Sequence, residues 1–297
     1  MKFASIDIGS NAVRLLLCSV IEDGNEVLFK KNELVRIPLR LGEDAFITKK
    51  ISEDKIVQLV KTMHAFRLLI EVFGALDYRA CATSAMREAT NGSEIIERVK
   101  NEAGITIEII HGKTEAEIIY SNHIAEHLDL NSSYLYIDVG GGSTELTLFS
   151  KGKIEFSQSF NIGTIRLLHD KVSKEHWSDF KETVRNITKN YRPLKAIGSG
   201  GNINKLYKTL KKKEGKSLQY DKIKEYSEYL STFSLDERIV KLGLNPDRAD
   251  VILPASKIFL SVMKNAGIDE IIVPQIGLSD GIIHLLYEKH INEKVQL

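Results

Sequence analysis

The chain has 297 residues, a formal net charge of +1 and 43% hydrophobic residues. A chain of this length can bury a sizeable core and, at roughly 150 residues per domain, is expected to form two domains. The balanced charge excludes a global attraction to nucleic acid or to an anionic membrane. We therefore expect neither as a partner, and any polyanion would bind to a local patch.

Two features of the sequence indicate the compartment. The N-terminus has no signal-peptide pattern, and no apolar run approaches the length of a membrane span. Cys18 and Cys81 both lie in apolar, strand-like runs, which is typical of small core residues in a reducing compartment. The sequence predicts a cytoplasmic protein.

The chain opens with a predicted strand that ends in a polar loop. This strand carries Asp7 and is followed by Gly9, Ser10 and Asn11, after which two further strands are predicted. Glycine lets a backbone approach a ligand closely, and a turn of this kind leaves backbone N–H groups free to hold an anion. The loop is therefore a candidate phosphate site.

A second short strand, residues 78–82, leads directly into Thr83 and, four residues later, Arg87. Ligands gather just beyond the carboxyl ends of strands in α/β sheets. The planar guanidinium of Arg87 suits phosphate oxygens. A surface salt bridge between Arg87 and Glu88 or Glu94 is the alternative interpretation.

The segment after the next strand contains Thr114, Glu115 and Glu117. A threonine followed three residues later by a glutamate predicts a capping box, with Thr114 as the N-cap and Glu115 at the first helical position. A carboxylate fixed there can orient and deprotonate a water molecule. Acids are also common in first helical turns for dipole reasons alone, so a structural role remains open.

The most informative stretch repeats the opening pattern with more glycines. A predicted strand runs into Asp138, a glycine loop follows and leads to Glu145, and the next predicted strand comes directly after Glu145. Carboxylates beside an anion site would repel the anion unless a cation intervenes, so the loop favours a phosphate together with a divalent metal. A plain tight turn is the alternative, whereas a dinucleotide site would need a helix after the loop. The loop residues are Gly140, Gly141, Gly142 and Ser143.

Asp7 and Asp138 are about one domain length apart, which indicates two similar halves. We predict one domain over residues 1–127, completed by a terminal helix over residues 279–297, and a second over residues 128–278. In this arrangement the two hairpins would face each other across a cleft and clamp one ligand.

A third glycine loop contains Gly200 and precedes a predicted helix. A helix N-terminus can bind an anion, so a ligand loop and a structural turn both remain open. Lys205, Lys208 and Lys212 share one face of that helix. They form either an ordinary solvated face or a cationic track for a long anion.

Together these motifs resemble the exopolyphosphatase and guanosine pentaphosphate phosphohydrolase family, within the actin-like ATPase superfold. The resemblance implies an α/β fold of two duplicated ribonuclease-H-like domains around a central cleft. It implies hydrolysis of terminal phosphoanhydride bonds in inorganic polyphosphate or guanosine pentaphosphate with Mg²⁺, or with Mn²⁺ in its place, and a homodimer. The segments that carry it are 7–11, 82–87, 112–116, 137–145, 198–201, 248–250 and 277–278.

The resemblance also implies a role for each matching residue. Glu115 would activate water and Arg87 would grip the substrate phosphate. Asp7 and Asp138 would hold the metal largely through water molecules, with Glu145 as a further acid. The phosphate-binding residues would be Gly9, Ser10, Asn11, Thr83, Gly140, Gly141, Gly142, Ser143 and Gly200.

The sequence departs from the family pattern in several places. It ends at Leu297 without the additional helical domain of long family members, and it has Ser279-Asp280 where Arg-Glu is usual. Two alternative functions follow from the same superfold. One is a catalytically quiet sensor of nucleotide alarmones, and the other is an ATPase or kinase.

Overall fold

The computed structural model describes residues 1–24, 26–120, 129, 131–210 and 217–295. Its contacts divide the chain into two compact units, Met1–Ile124 with Ile276–Leu297 and Ala125–Gln275. The predicted domain boundary at residue 127 lies outside the described residues, and so does Lys212 of the predicted lysine face.

The first unit is built on a five-stranded sheet in the order β3-β2-β1-β4-β5. Its strands are β1 Lys2–Ile8, β2 Val13–Asp23, β3 Glu26–Ile37, β4 Asp77–Ala82 and β5 Ile107–Ile109. Its helices before the second unit are α1 Leu41–Ile47, α2 Glu53–Phe73, α3 Ser84–Glu88, α4 Gly92–Ala103 and α5 Gly112–Tyr120.

The second unit is built on a six-stranded sheet in the order β10-β11-β9-β6-β7-β8. Its strands are β6 Ser133–Val139, β7 Thr144–Ser150, β8 Lys153–Phe160, β9 Leu194–Ser199, β10 Ser217–Gln219 and β11 Glu270–Ile272. Its helices are α6 Thr164–Leu168, α7 Lys174–Thr188, α8 Gly201–Leu210, α9 Tyr220–Ser231, α10 Leu235–Val240, α11 Pro246–Ala249 and α12 Ile252–Ala266. A last helix, α13 Leu278–Val295, belongs to the first unit.

The two sheets share one topology. In each, three consecutive strands form an antiparallel meander whose first strand pairs in parallel with the next strand of the sheet. Asp7 on β1 and Asp138 on β6 occupy the same place, one residue before the end of the strand. The duplication that the sequence indicates is therefore present in the fold.

Apolar periodicity explains the longest helices. Helix α2 buries one stripe, which includes Leu59, Met63 and Phe66, and it ends at Gly74 in the left-handed conformation. Helix α12 is buried along most of its length and contacts α6, α7, α8, α9 and β6. Within the described residues, no helix combines the length and the apolar character needed to cross a bilayer.

Helix α13 is fixed to the first unit at its N-terminus. The Ser5 hydroxyl donates to the carbonyl of Ser279 over 2.8 Å, and the Asp280 carboxylate pairs with Lys31 over 2.6 Å. A Cβ atom added to Gly281 would lie 1.9 Å from the carbonyl oxygen of Ile118 on α5. Only glycine permits this approach, so α13 packs directly on the backbone of α5.

We expect Gly281→Ala to destabilise the protein, because the obstructing atom is backbone and cannot rotate away. Overpacking of this kind costs roughly 1–3 kcal/mol in the free energy of unfolding, measured by urea denaturation. Glu293→Ala, an exposed change on the same helix, is the control. Equal stability of the two variants would contradict the close packing of α13 on α5.

Candidate active site

The predicted site residues of the first unit lie at the carboxyl ends of three parallel strands. Ile8 of β1, Ala82 of β4 and Ile109 of β5 lie in one register row. Beyond this row the Thr83 N–H donates to the Ile8 carbonyl over 3.2 Å, and the Ile110 N–H donates to the Ala82 carbonyl over 3.0 Å. The segments that carry Asp7, Arg87 and Glu115 therefore start from the same edge, where α/β sheets bind ligands.

Arg87 is half-buried, and one guanidinium nitrogen donates to the carbonyl of Ile110 over 2.7 Å. Among the described residues no carboxylate pairs with the Arg87 guanidinium. The Glu88 carboxylate lies 3.6 Å from the Lys49 ammonium group instead. The predicted alternative of a surface salt bridge with Glu88 or Glu94 is therefore not found. Arg87 ties α3 to the segment that enters α5, and it has further donors for an anion.

Glu115 is buried, with 9% of its surface exposed. The predicted cap is wrong: α5 begins at Gly112, and the Glu115 N–H already donates to the His111 carbonyl over 2.9 Å within the helix. Thr114 is a helical residue and not the N-cap. Glu115 still lies in the first turn of the helix.

The Cys81 thiol lies in the core beside the site. Burial raises the pKa of this thiol to about 12; among the smaller effects the charge of Arg79 lowers the pKa, and the charges of Glu108, Asp7 and Glu115 raise it. Cys81 is opposite Asp7 in the β1–β4 register. The thiol is fully buried and protonated at neutral pH, so it is a core residue, as predicted, and not a nucleophile.

Asp7 is the middle of a row of side chains that crosses the first sheet. Its neighbour on β2 is Arg14, whose guanidinium lies 2.5 Å from the Asp7 carboxylate, and the next neighbour on β3 is Arg36. Directly opposed residues on antiparallel strands share one face. The negative charge of Asp7 is thus balanced within the unit itself.

The first glycine loop is held through its carbonyl groups. The Gly42 N–H donates to the Ser10 carbonyl over 2.8 Å, and the Arg40 N–H donates to the Asn11 carbonyl over 3.1 Å. The hydroxyls of Ser10 and Ser84 are 2.8 Å apart, so the loop also contacts the start of α3. The predicted loop and the predicted Arg87 segment are therefore neighbours.

The second glycine loop closes in the same way as the first. The Gly140 N–H donates to the Ser143 carbonyl over 2.9 Å, and the Gly9 N–H donates to the Ala12 carbonyl over 3.1 Å. Each turn follows a strand that ends one residue after an aspartate. The repeat thus extends from the topology to individual hydrogen bonds.

The charges beside the second loop differ from those beside the first. Asp138 is opposite Glu145 in the β6–β7 register, so two carboxylates share one face. The hydroxyls of Ser143 and Ser159 donate to Oε1 of Glu145 over 2.6 and 2.8 Å. Two adjacent carboxyl groups supply oxygen ligands of the kind that divalent cations bind.

This pair of oxygen donors fits Mg²⁺ chemically. Mg²⁺ in proteins usually keeps several water ligands and binds one or two carboxylates together with substrate phosphates. Among the described residues, no group of three or more histidine, cysteine, aspartate or glutamate side chains forms a protein cage for a metal. Asp138 and Glu145 are two of the three acids, with Asp7, that the sequence predicts as metal ligands.

Arg248 is a site residue that the sequence analysis did not select. A Cβ atom on Gly200 would lie 3.1 Å from Oδ1 of Asp138, and one on Gly201 would lie 2.6 Å from Nη1 of Arg248. The Arg248 guanidinium therefore lies against the N-terminus of α8, next to the Asp138 segment. In the sequence, residues 248–250 stand out only as one motif of the family resemblance, and their distance along the chain from Gly201 hides this contact.

The chain is similar to known phosphatases along most of its length. The Ppx/GppA phosphatase family matches residues 20–290 of the chain. A bifunctional 3-dehydroquinate synthase/phosphatase from Fusobacterium nucleatum is 31% identical over 92% of the chain, which spans 44% of that relative. Exopolyphosphatase 1 from Mycobacterium leprae is 22% identical over 95% of the chain and 88% of the relative.

The chain also resembles a solved structure of this family. The crystal structure of the Aquifex aeolicus member of the Ppx/GppA family has a TM-score of 0.76 and 29% identity, and the match covers 98% of each chain. The predicted α/β fold of two duplicated domains of the actin-like ATPase type is confirmed. The chain belongs to the Ppx/GppA phosphatase family.

Proposed function

We propose that the protein is a Mg²⁺-dependent phosphoanhydride hydrolase that releases terminal phosphate from inorganic polyphosphate, guanosine pentaphosphate or both. The observation that carries this proposal is the environment of Glu115. It is a buried carboxylate in the first turn of α5, and the segment before it is linked by Ile110 to the guanidinium of Arg87. A base and a cation from one strand edge are what water attack on a phosphate requires.

The polyphosphate part of the proposal is supported by the relatives. Exopolyphosphatase 1 from Mycobacterium leprae matches nearly the whole chain. The guanosine pentaphosphate part is supported by the motifs in segments 7–11, 82–87 and 137–145. Both substrates present the same group, a terminal phosphate joined through an anhydride oxygen.

In the proposed reaction Glu115 accepts a proton from water as the water oxygen attacks the terminal phosphorus. The bond from phosphorus to the bridging oxygen breaks, and the shortened chain leaves with the negative charge. Arg87 and backbone N–H groups of the two glycine loops donate to the phosphate oxygens as charge develops, except those of Gly9 and Gly140, which close the turns. When bound at Asp138 and Glu145, Mg²⁺ would neutralise phosphate charge.

We expect Glu115→Gln to lower kcat for phosphate release by about 10²- to 10⁴-fold, the usual contribution of a general base, with KM changed only a few-fold. Release would be measured with purified protein and Mg²⁺, with polyphosphates of several lengths, guanosine pentaphosphate and ATP offered separately.

Glu117→Gln is the matched control, because Glu117 is an exposed acid on the same helix, 4.0 Å from Lys113. Equal activity of the two variants would exclude Glu115 as the base. Tight guanine-nucleotide binding with no release from any substrate would instead favour the alarmone sensor. Release from ATP alone would favour the ATPase.

A second prediction concerns the metal. We expect Asp138→Asn to weaken Mn²⁺ binding, followed by electron paramagnetic resonance of the free ion, by at least about tenfold, because it removes one of two adjacent negative charges. Asp7→Asn should weaken it less, because Arg14 already balances Asp7.

Each variant is the control for the other, because Asp7 and Asp138 occupy equivalent positions in the two sheets. A larger loss of Mn²⁺ binding in Asp7→Asn than in Asp138→Asn would contradict the assignment of the ion to the second unit. The spectroscopic signal does not depend on turnover, so the result stands for any substrate.

A further inference from the structure

Three consecutive carbonyls of the second glycine loop are held by three consecutive residues of α6. The Thr164 N–H donates to the Gly140 carbonyl over 3.0 Å, and the Ile165 N–H donates to the Gly141 carbonyl over 2.8 Å. The third donor is a side chain. Nε of Arg166 donates to the carbonyl of Gly142 over 2.6 Å.

This arrangement fixes the direction of the loop N–H groups. In a planar trans peptide unit the carbonyl of one residue and the N–H of the next point in opposite directions. Because the carbonyls of residues 140, 141 and 142 point to α6, the N–H groups of residues 141, 142 and 143 point away from it. Those three N–H groups are then turned together to the side where an anion can accept from them.

Arg166 is notable within this set because it is a buried charge. Only 7% of its surface is exposed. Removing a guanidinium from water is costly unless it is hydrogen-bonded. A charged donor to a carbonyl makes a stronger hydrogen bond than a neutral one. The guanidinium lies behind the loop, so it anchors the loop and places positive charge on the side opposite the N–H groups.

Gly163 contributes to the same contact through its lack of a side chain. A Cβ atom at this position would lie 2.4 Å from the Gly141 carbonyl oxygen and 2.4 Å from the carbonyl carbon of Gly142. The first turn of α6 can approach the loop only because residue 163 is glycine. Two different chemical features, one attractive and one steric, therefore set the position of the same loop.

We propose that Arg166 is a positioning residue that holds the glycine loop in its phosphate-binding conformation. The inference rests on the proposed function for the identity of the anion, a phosphate group. Arg166 acts through the Gly142 carbonyl and not on the reacting atoms. Its loss would let the loop populate other conformations, and the apparent affinity would fall by the fraction of molecules that remain competent.

The test uses Arg166→Met, which keeps the apolar stem and removes the donor. If the competent fraction falls to about one tenth, KM for polyphosphate and Kd for inorganic phosphate both rise about tenfold. Saturating substrate shifts the loop back to its binding-competent conformation, so kcat should change less than threefold. Arg166→Lys keeps a cationic donor and should return KM to within about threefold of the wild-type value.

The control is Arg192→Met. Arg192 also donates to backbone carbonyls, those of Thr188 and Ala266 over 2.9 and 3.1 Å. It precedes the start of β9, at the opposite end of β6 and β9 from the glycine loop. We expect KM and Kd of this variant to match the wild type.

Gly163→Ala gives an independent test that leaves every charge in place. We expect it to raise Kd for inorganic phosphate in the same direction as Arg166→Met, since it displaces the same loop. A lower melting temperature with unchanged KM and Kd in both variants would overturn the proposal. Equal effects of Arg166→Met and Arg192→Met would overturn it as well.

Calorimetry with inorganic phosphate separates this proposal from the proposed function. A rise in phosphate Kd for Arg166→Met, with no phosphate release from any chain by the wild type, would support the anchor and reject the hydrolase. Normal phosphate release by the wild type, with phosphate Kd unchanged in Arg166→Met, would support the hydrolase and reject the anchor.

Discussion

The planarity of the peptide unit is the constraint on which both candidate phosphate loops depend. A carbonyl that accepts a hydrogen bond on one side of a loop turns the following N–H to the other side. In the first unit the start of α1 holds two loop carbonyls, through the N–H groups of Arg40 and Gly42, and in the second the first turn of α6 holds three. The short helix after each meander thus orients the loop that precedes the second strand.

The duplicated halves share this backbone device and differ in the charges beside it. Asp7 has an arginine as its cross-strand neighbour, whereas Asp138 has a glutamate at the same position. An acid beside an arginine is attracted to it, whereas two neighbouring acids repel each other, so the two positions differ in their electrostatic environment. The two units therefore present different side chains on the same backbone pattern.

Much of this could be predicted from the sequence because it is local. The aspartate, the glycines and the following strand lie within a dozen residues in each repeat, so spacing alone indicates the hairpin and its loop. The contacts that sequence spacing does not reveal are long-range: Arg166 donates to a carbonyl 24 residues away, and Arg248 donates to the side-chain oxygen of Asn202, 46 positions away. The capping box failed for a different reason, since Gly112 and Lys113 accept helical geometry and the helix begins a turn earlier.

The anchor of the second loop also explains why its residues carry so little sequence signal. Thr164 and Ile165 donate through backbone N–H groups, which almost any residue supplies. Only two positions depend on residue type, Arg166 because its side chain is the donor and Gly163 because any side chain would collide. A search for phosphate ligands selects neither, since the arginine lies behind the loop and the glycine outside it. The groups that orient a backbone site are to be sought on the side facing away from the ligand.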